Sequence, residues 1–205
     1  MPQTKRTPLV RVPRHSFRNL NEGIELAQLI TKGIEFLGSG DGLLNHDVFR
    51  FTNVVVPIVD NPVSTNGATG SIILGNFPAA TVLVEAPSLR LTITRGDTNI
   101  TATAAINYGL GTAAPATDNG TLVGTGESTY TGALATTLAA GTVTVTSEQD
   151  PAVFPNVWRQ YTGSKSDIRL NFGLVDAGTT ASPSSLVISG DILVRWRNFG
   201  NFQIA

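Results

Sequence analysis

Two segments of this chain follow a strict period-two pattern, and a period of two admits little besides half-buried antiparallel sheet. The first is Leu89-Arg90-Leu91-Thr92-Ile93-Thr94-Arg95. The second runs from Leu186 to Trp196 and puts Leu186, Ile188, Ile192, Val194 and Trp196 on one face. The Thr, Ala and Gly between these segments suit sheet surfaces and turns and are poor material for acid–base chemistry. The pattern reads as a scaffold or binding shell and not as an enzyme.

From Val48 onward the same reading extends to the end of the chain. Strands are predicted at 48–59, 70–76, 81–86, 89–95, 99–107, 121–124, 129–138, 142–147, 168–175 and 185–197. Turn residues separate them at Asn66-Gly67, Arg95-Gly96-Asp97, Asp118-Asn119-Gly120, Ala140-Gly141 and Ala177-Gly178. Pro87 makes 81–95 either two strands or one edge strand with a bulge. Ten short strands with frequent turns imply an all-β antiparallel sandwich or barrel. The Gly/Ala/Thr-rich stretch 108–142 is the best candidate for a long loop or protruding edge.

The start of the chain is different. Residues 1–18 hold Pro2, Pro8 and Pro13 among basic residues and too little apolar surface to fold alone, so an extended arm is expected there. Asn19-Leu20-Asn21-Glu22 has the form of a capping box. Ile24, Ala27, Ile30 and Ile34 then recur at helical spacing, which predicts one short helix over 21–32 before Gly33 and the Gly38–Gly42 cluster. The chain thus divides into an arm, helix and linker over 1–47 and a β-sandwich over 48–205.

Charge divides along the same line. The arm carries Lys5, Arg6, Arg11, Arg14 and Arg18 without an acid; of 14 basic residues nine remain for the rest of the chain, against 15 acids, a net −6. An extended chain at about 3.3 Å per residue spreads those five cations over roughly 40–50 Å. Lys5, Arg6, Leu9, Arg11, Arg14, Phe17 and Arg18 are therefore the expected partner-binding residues, with the apolar members burying surface on contact. Prolines and the lack of stacking aromatics beyond Phe17 argue against nucleic acid as that partner and for a neighbouring protein. The charged share is only 14%, which together with the spacing of the four apolar residues predicts a homo-oligomer. No secretory signal is visible, and the longest apolar runs fall far short of a bilayer span, so no membrane partner is expected.

Motifs with chemical meaning are few. Cysteine is absent, which removes disulfides, thiolate metal sites and a thiol nucleophile. Gly109-Leu110-Gly111-Thr112-Ala113-Ala114 has the form of a dinucleotide fingerprint, but Pro115, Asp118, Asn119 and Gly120 follow where a helix must start, so it reads as a β connection. His15 and His46 are the only histidines, and no G-x-S-x-G occurs. The Asp41–Asp47 segment around His46 lacks the alternating carboxylates and closing Glu of a calcium loop. Asn99-Ile100-Thr101 and Asn119-Gly120-Thr121 fit the glycosylation sequon by chance in an Asn/Thr-rich chain, and Arg95-Gly96-Asp97 is the kind of tripeptide any inter-strand turn selects. No catalytic residues, metal ligands or cofactor are expected.

The strand Leu89–Arg95, the small-residue stretch Gly109–Ala114, Leu122-Val123-Gly124-Thr125 and the closing pattern Ile168–Phe172 then Ser185–Trp196 together resemble virion structural proteins of tailed bacteriophages. The resemblance covers roughly residues 50–200. It implies a jelly-roll-like β-sandwich that decorates or cements the head by binding the major capsid protein from outside, commonly as a homotrimer. A tail or head-fibre receptor-binding module is the alternative, with loops 108–128 and 176–184 as the edge that meets a carbohydrate or host surface.

Overall fold

The computed structural model describes residues 32–40, 44–60, 67–78, 81–115, 120–122, 126–148, 157–160, 166–175 and 184–198. They form ten strands: β1 (Ile34–Gly40), β2 (Leu44–Asp60), β3 (Gly67–Phe77), β4 (Thr81–Arg95), β5 (Ala105–Gly111), β6 (Leu134–Thr137), β7 (Thr142–Glu148), β8 (Val157–Gln160), β9 (Ser166–Val175) and β10 (Ser184–Asn198). All pairings are antiparallel. The path runs β6-β5-β9-β3-β2-β10-β4-β7, with β1 added to β2 and β8 to β4. It makes a sandwich-like fold of two sheets, β1-β2-β10-β4-β7/β8 and β3-β9-β5-β6, which meet where the end of β2 pairs with β3 through Val59↔Thr69 and Asp60↔Ala68.

Alternation explains the core. Leu186, Ile188, Ile192, Val194 and Trp196 of β10 are all buried, as are Leu89, Leu91 and Ile93 of β4. Ile72, Leu74 and Phe77 of β3, Ile106, Tyr108 and Leu110 of β5, and Ile168, Leu170, Phe172 and Leu174 of β9 face them in one contiguous cluster. Three bulges shift the phase of the alternation. β2 carries an extra residue opposite Ile188/Gly190, where Asn53 adopts φ 51°, so its buried set changes from Phe49 and Phe51 to Val54, Val56 and Ile58. β3 is irregular between Ile73 and Gly75. β4 gains a residue opposite Leu193/Arg195.

That third bulge holds Pro87. The segment is one strand, and it lies between β10 and β7/β8 instead of at an edge. On its far side Ser88–Thr94 pair with β7 and Thr81–Val84 with β8, so the proline sits in the gap between two partners, where its missing N–H interrupts no ladder.

Two expectations need adjustment. Ile34, at helical spacing from Ile30 in the sequence, opens β1 and is buried in the core, its strand paired with β2 from Ile34↔Phe51 to Gly40↔Asn45. Gly33, at φ 82°, turns the chain into that strand, and its carbonyl accepts from Thr52 N at 2.9 Å. The sheet therefore reaches back to Ile34 and runs through residue 47. Apart from Lys32, the expected helix over 21–32 lies outside the described residues.

The second adjustment concerns 108–142. Its Ala140-Gly141 turn is present, with both residues at positive φ between β6 and β7. The described part of the β5–β6 connection does not protrude. It folds back over the outer face of the second sheet, with Thr112 N donating to Gly126 O at 2.6 Å and Tyr130 N to Leu110 O at 2.9 Å. Gly111 permits this approach, since a Cβ there would collide with the Gly126 and Glu127 carbonyls.

Gly190 is the most constrained position of the central strand: it sits at φ 124°, and a Cβ would meet the Arg90 carbonyl. Gly190→Ala should cost about 2 kcal/mol or more in urea unfolding, from backbone strain and steric overlap together.

Candidate interaction surface and buried polar cluster

The outward face of the first sheet is built in rows by the strand register. Val55 (β2), Val187 (β10), Thr94 (β4) and Thr142 (β7) form one row. Ser189, Thr92 and Thr144 form the next, flanked by Asn53, and Arg50, Asp191, Arg90 and Thr146 the third. Leu37, Val48, Leu193 and Ser88 follow. Hydroxyls join across the strands, Thr92 to Thr144 at 3.1 Å and Thr142 to Thr94 at 3.2 Å.

Charge is sparse in these rows. Arg50 Nε donates to Asp191 Oδ1 at 2.9 Å, with both side chains about half exposed, so the pair orients more than it stabilises. Beyond it lies an apolar strip: Val55 and Val59 are each 59% exposed and flank exposed Pro57 on one strand. Isolated surface valines are ordinary, but a strip of them beside a hydroxyl-lined sheet is the kind of surface that covers well.

A second feature lies inside, where the start of β2 meets the end of β10. Asn45 and Asp47 point into the core, 1% and 2% exposed, where Phe49 and Phe51 continue the face. Trp196 Nε1 donates to Asp47 Oδ2 at 2.5 Å. Phe77 packs edge-on against Trp196 at 5.2 Å and against Tyr130 at 5.5 Å. The Tyr130 hydroxyl lies 3.2 Å from Ser166 Oγ and donates to Asp167 O at 3.3 Å. Asn45 Nδ2 is buried without a hydrogen-bond partner among the described residues.

Burial pushes the Asp47 carboxyl up to about 7, and the Trp196 hydrogen bond pulls the other way but more weakly.

Under the β5–β6 connection, Asn171 is fully buried and fully used. Its Oδ1 accepts from Ser71 Oγ at 2.7 Å, and its Nδ2 donates to Ala113 O at 2.8 Å and Glu127 O at 2.7 Å. The side chain pins the connection to the sheet.

The structure assigns several sequence motifs to local scaffolding. Gly109-Leu110-Gly111 ends β5 and meets the returning connection, and among the described residues no helix N-terminus faces it. Asp97 of Arg95-Gly96-Asp97 is occupied: Oδ1 accepts from Asn99 N at 2.9 Å, and Oδ2 from Ser185 N and Oγ at 2.8 and 3.1 Å. His46 lies exposed on the outer face of β2, in register with Arg195. Among the described residues no three His, Cys, Asp or Glu gather as a metal site, and no helix is long and apolar enough to cross a membrane.

The expected arm residues Lys5, Arg6, Leu9, Arg11, Arg14, Phe17 and Arg18 lie outside the described residues. Sequence reasoning missed the Asp47–Trp196 bond. A tryptophan on a buried face needs an acceptor for its N–H, but nothing local marks an aspartate 149 positions away.

No family model and no curated protein matches the chain.

Two outcomes follow from the buried groups. The folded chain keeps a proton on Asp47 that the unfolded chain releases between about pH 4 and about pH 7, so stability falls as pH rises through that window and then levels off. Asp47→Asn, compared with the native chain by urea unfolding, should show little difference near pH 4 and a growing advantage up to pH 7. The slope of that difference should approach about 1.4 kcal/mol per pH unit. Asn171→Ala strands two carbonyls and a hydroxyl beneath the connection and should cost about 2 kcal/mol or more in the same assay.

Proposed function

We propose that this chain is a capsid decoration, or cement, protein of a tailed bacteriophage. In this reading its sandwich is a jelly roll that binds the outside of the head as a homotrimer and bridges major capsid protein subunits. The observation that carries the reading is a nested order of pairing. With β1 and β8 set aside, eight strands remain, and the first pairs with the eighth, the second with the seventh, the third with the sixth and the fourth with the fifth: β2·β10, β3·β9, β4·β7 and β5·β6. A long hairpin wrapped over itself generates that order. It supports a jelly roll, an architecture that recurs in viral capsid and lectin domains.

The low-charge face with its Val55–Pro57–Val59 strip supports a role in covering another surface, and the cationic arm supports a tether that lies along an anionic neighbour. The work is mechanical: each copy adds weak contacts that must break before the shell opens, and linked contacts act at high effective concentration. A carbohydrate-binding edge gains no support from the tyrosines. Tyr108 and Tyr130 are buried, and Tyr161 lies outside the described residues.

The test mixes purified full-length chain with shells assembled from the major capsid protein of the encoding phage and counts occupancy by cryo-electron microscopy. Regular density over the shell is expected. Deleting 1–18 should leave the thermal midpoint unchanged while occupancy falls by about tenfold or more. Reversing the five arm charges should weaken binding most at low ionic strength, because salt screens exposed pairs. A full-length chain that leaves the shells bare overturns the reading.

A further inference from the structure

Strand β7 closes one side of the first sheet: it pairs with β4, and on its other side only Thr142 is engaged among the described residues, by Ala139 of the turn that leads into the strand. Exposed strand edges carry unpaired amides and carbonyls, and soluble chains blunt them with short strands, charges, prolines or bulges. The other edges are blunted in these ways. β6 and β8 have four residues each, β1 carries exposed Glu35 and the glycines Gly38 and Gly40, and β3, which meets β2 only through Ala68 and Thr69, is broken by its bulge between Ile73 and Gly75. β7 is different. Its seven residues contain no Pro, Gly, Lys or Arg, and a single acid in last place. Thr142 to Thr146 are all β-branched, which favours extended backbone. Its pairing with β4 is regular from Thr94↔Thr142 to Ser88↔Glu148.

We propose that β7 pairs with β7 of a second copy of this chain across a two-fold axis, joining two sheets edge to edge. The strand is self-complementary in the antiparallel sense. With Val145 at the axis, Thr144 of one protomer faces Thr146 of its partner and Val143 faces Ser147, while Thr142, already bonded to Ala139, ends the pairing. No like charges meet, because the two Glu148 positions fall at opposite ends of the paired strands, about 20 Å apart. The hydroxyl rung Thr92–Thr144 on the outer face continues into the partner. Val145, buried, and Val143, packed against the core, lie on the opposite face, so the apolar layers also meet.

The pairing is isologous and closes at two copies. Five paired residues on each strand bury less than the ~800 Å² per partner of a stable interface. The contact is therefore weak in dilute solution and gains weight where copies stand side by side. It goes beyond the decoration reading and does not rest on it.

The native chain contains no cysteine, so introduced thiols report cleanly. Thr144 and Thr146 are exposed, and cross-strand Cβ atoms about 5 Å apart lie within a small adjustment of disulfide geometry. The double variant Thr144→Cys, Thr146→Cys, mildly oxidised at high concentration, should give disulfide-linked dimer about tenfold above an exposed control, Thr52→Cys, on β2. Sedimentation of the native chain should show a reversible pairwise association, of single chains or of trimers, that Thr144→Lys with Thr146→Lys abolishes. The contact is overturned if cross-linking only equals the control, if the native chain shows no such association at the highest concentration reached, or if the lysine variant associates as the native chain does. A chain that covers phage shells yet fails these measurements loses the edge contact and keeps the decoration reading.

Discussion

The sandwich depends on β10 lying between β2 and β4. The last described strand pairs along its length with the second on one side and the fourth on the other, and its apolar face is the floor of the core. Such a seam is distant in sequence: Arg50 and Asp191 are 141 positions apart, Asp47 and Trp196 149. Loop closure must therefore be paid for before the central contacts return anything, which makes the topology a slow one to form. Once β10 is in place, β4 is held on both sides and β2 can pass its end across to β3. The second sheet hangs from that crossing.

The sequence announces this seam more clearly than anything else in the chain, and for a physical reason. β10 keeps one phase of alternation from Leu186 to Trp196, and Leu89 to Ile93 of β4 lie beyond its bulge, so both segments show period two without interruption. Elsewhere bulges hide the period. β2 moves its buried residues from odd to even positions at Asn53, and a reader counting by twos loses the face there. Ile34 shows another limit. Its spacing from Ile24, Ala27 and Ile30 fits a helix, while its strand identity depends on pairing with Phe51, which no local pattern reveals. The four-residue strand β8 is too short to carry a period at all.

Sites are less legible than strands, because a site is a matter of what meets across sheets. Gly109 and Gly111 look like a phosphate loop in sequence; in the fold they mark where one backbone crosses another. Arg95-Gly96-Asp97 looks like an exposed recognition tripeptide, yet its carboxylate brackets the turn to Ser185. In both cases the residue types are right for a tight backbone arrangement, and the ligand reading borrows the same geometry. The outward rows of Val, Thr and Ser could be expected from the low charge, but their alignment could not, since it follows from the register of four strands.

Register is also where the polar residues gain their meaning. A slip of β10 by two positions against β2 would keep every apolar side chain on the buried face, so hydrophobicity alone does not select one alignment. Polar pairs do. Trp196 lies in register with Asn45 and reaches diagonally to Asp47, and a two-residue slip that carries it away from Asp47 leaves a buried indole N–H and a buried carboxyl without each other. On the outer face, Asp191 meets Arg50, and Ser189 meets Asn53 at the β2 bulge. Against β4, Arg197 Nε reaches Glu85 at 2.8 Å, and at the far end Ser185 is held by Asp97. The exposed pairs contribute little each to stability, but every one of them is lost together in a shifted alignment. A buried aspartate with its carboxyl raised to about 7 is costly to keep in a core. Its value here lies in favouring one alignment of the start of β2 with the end of β10.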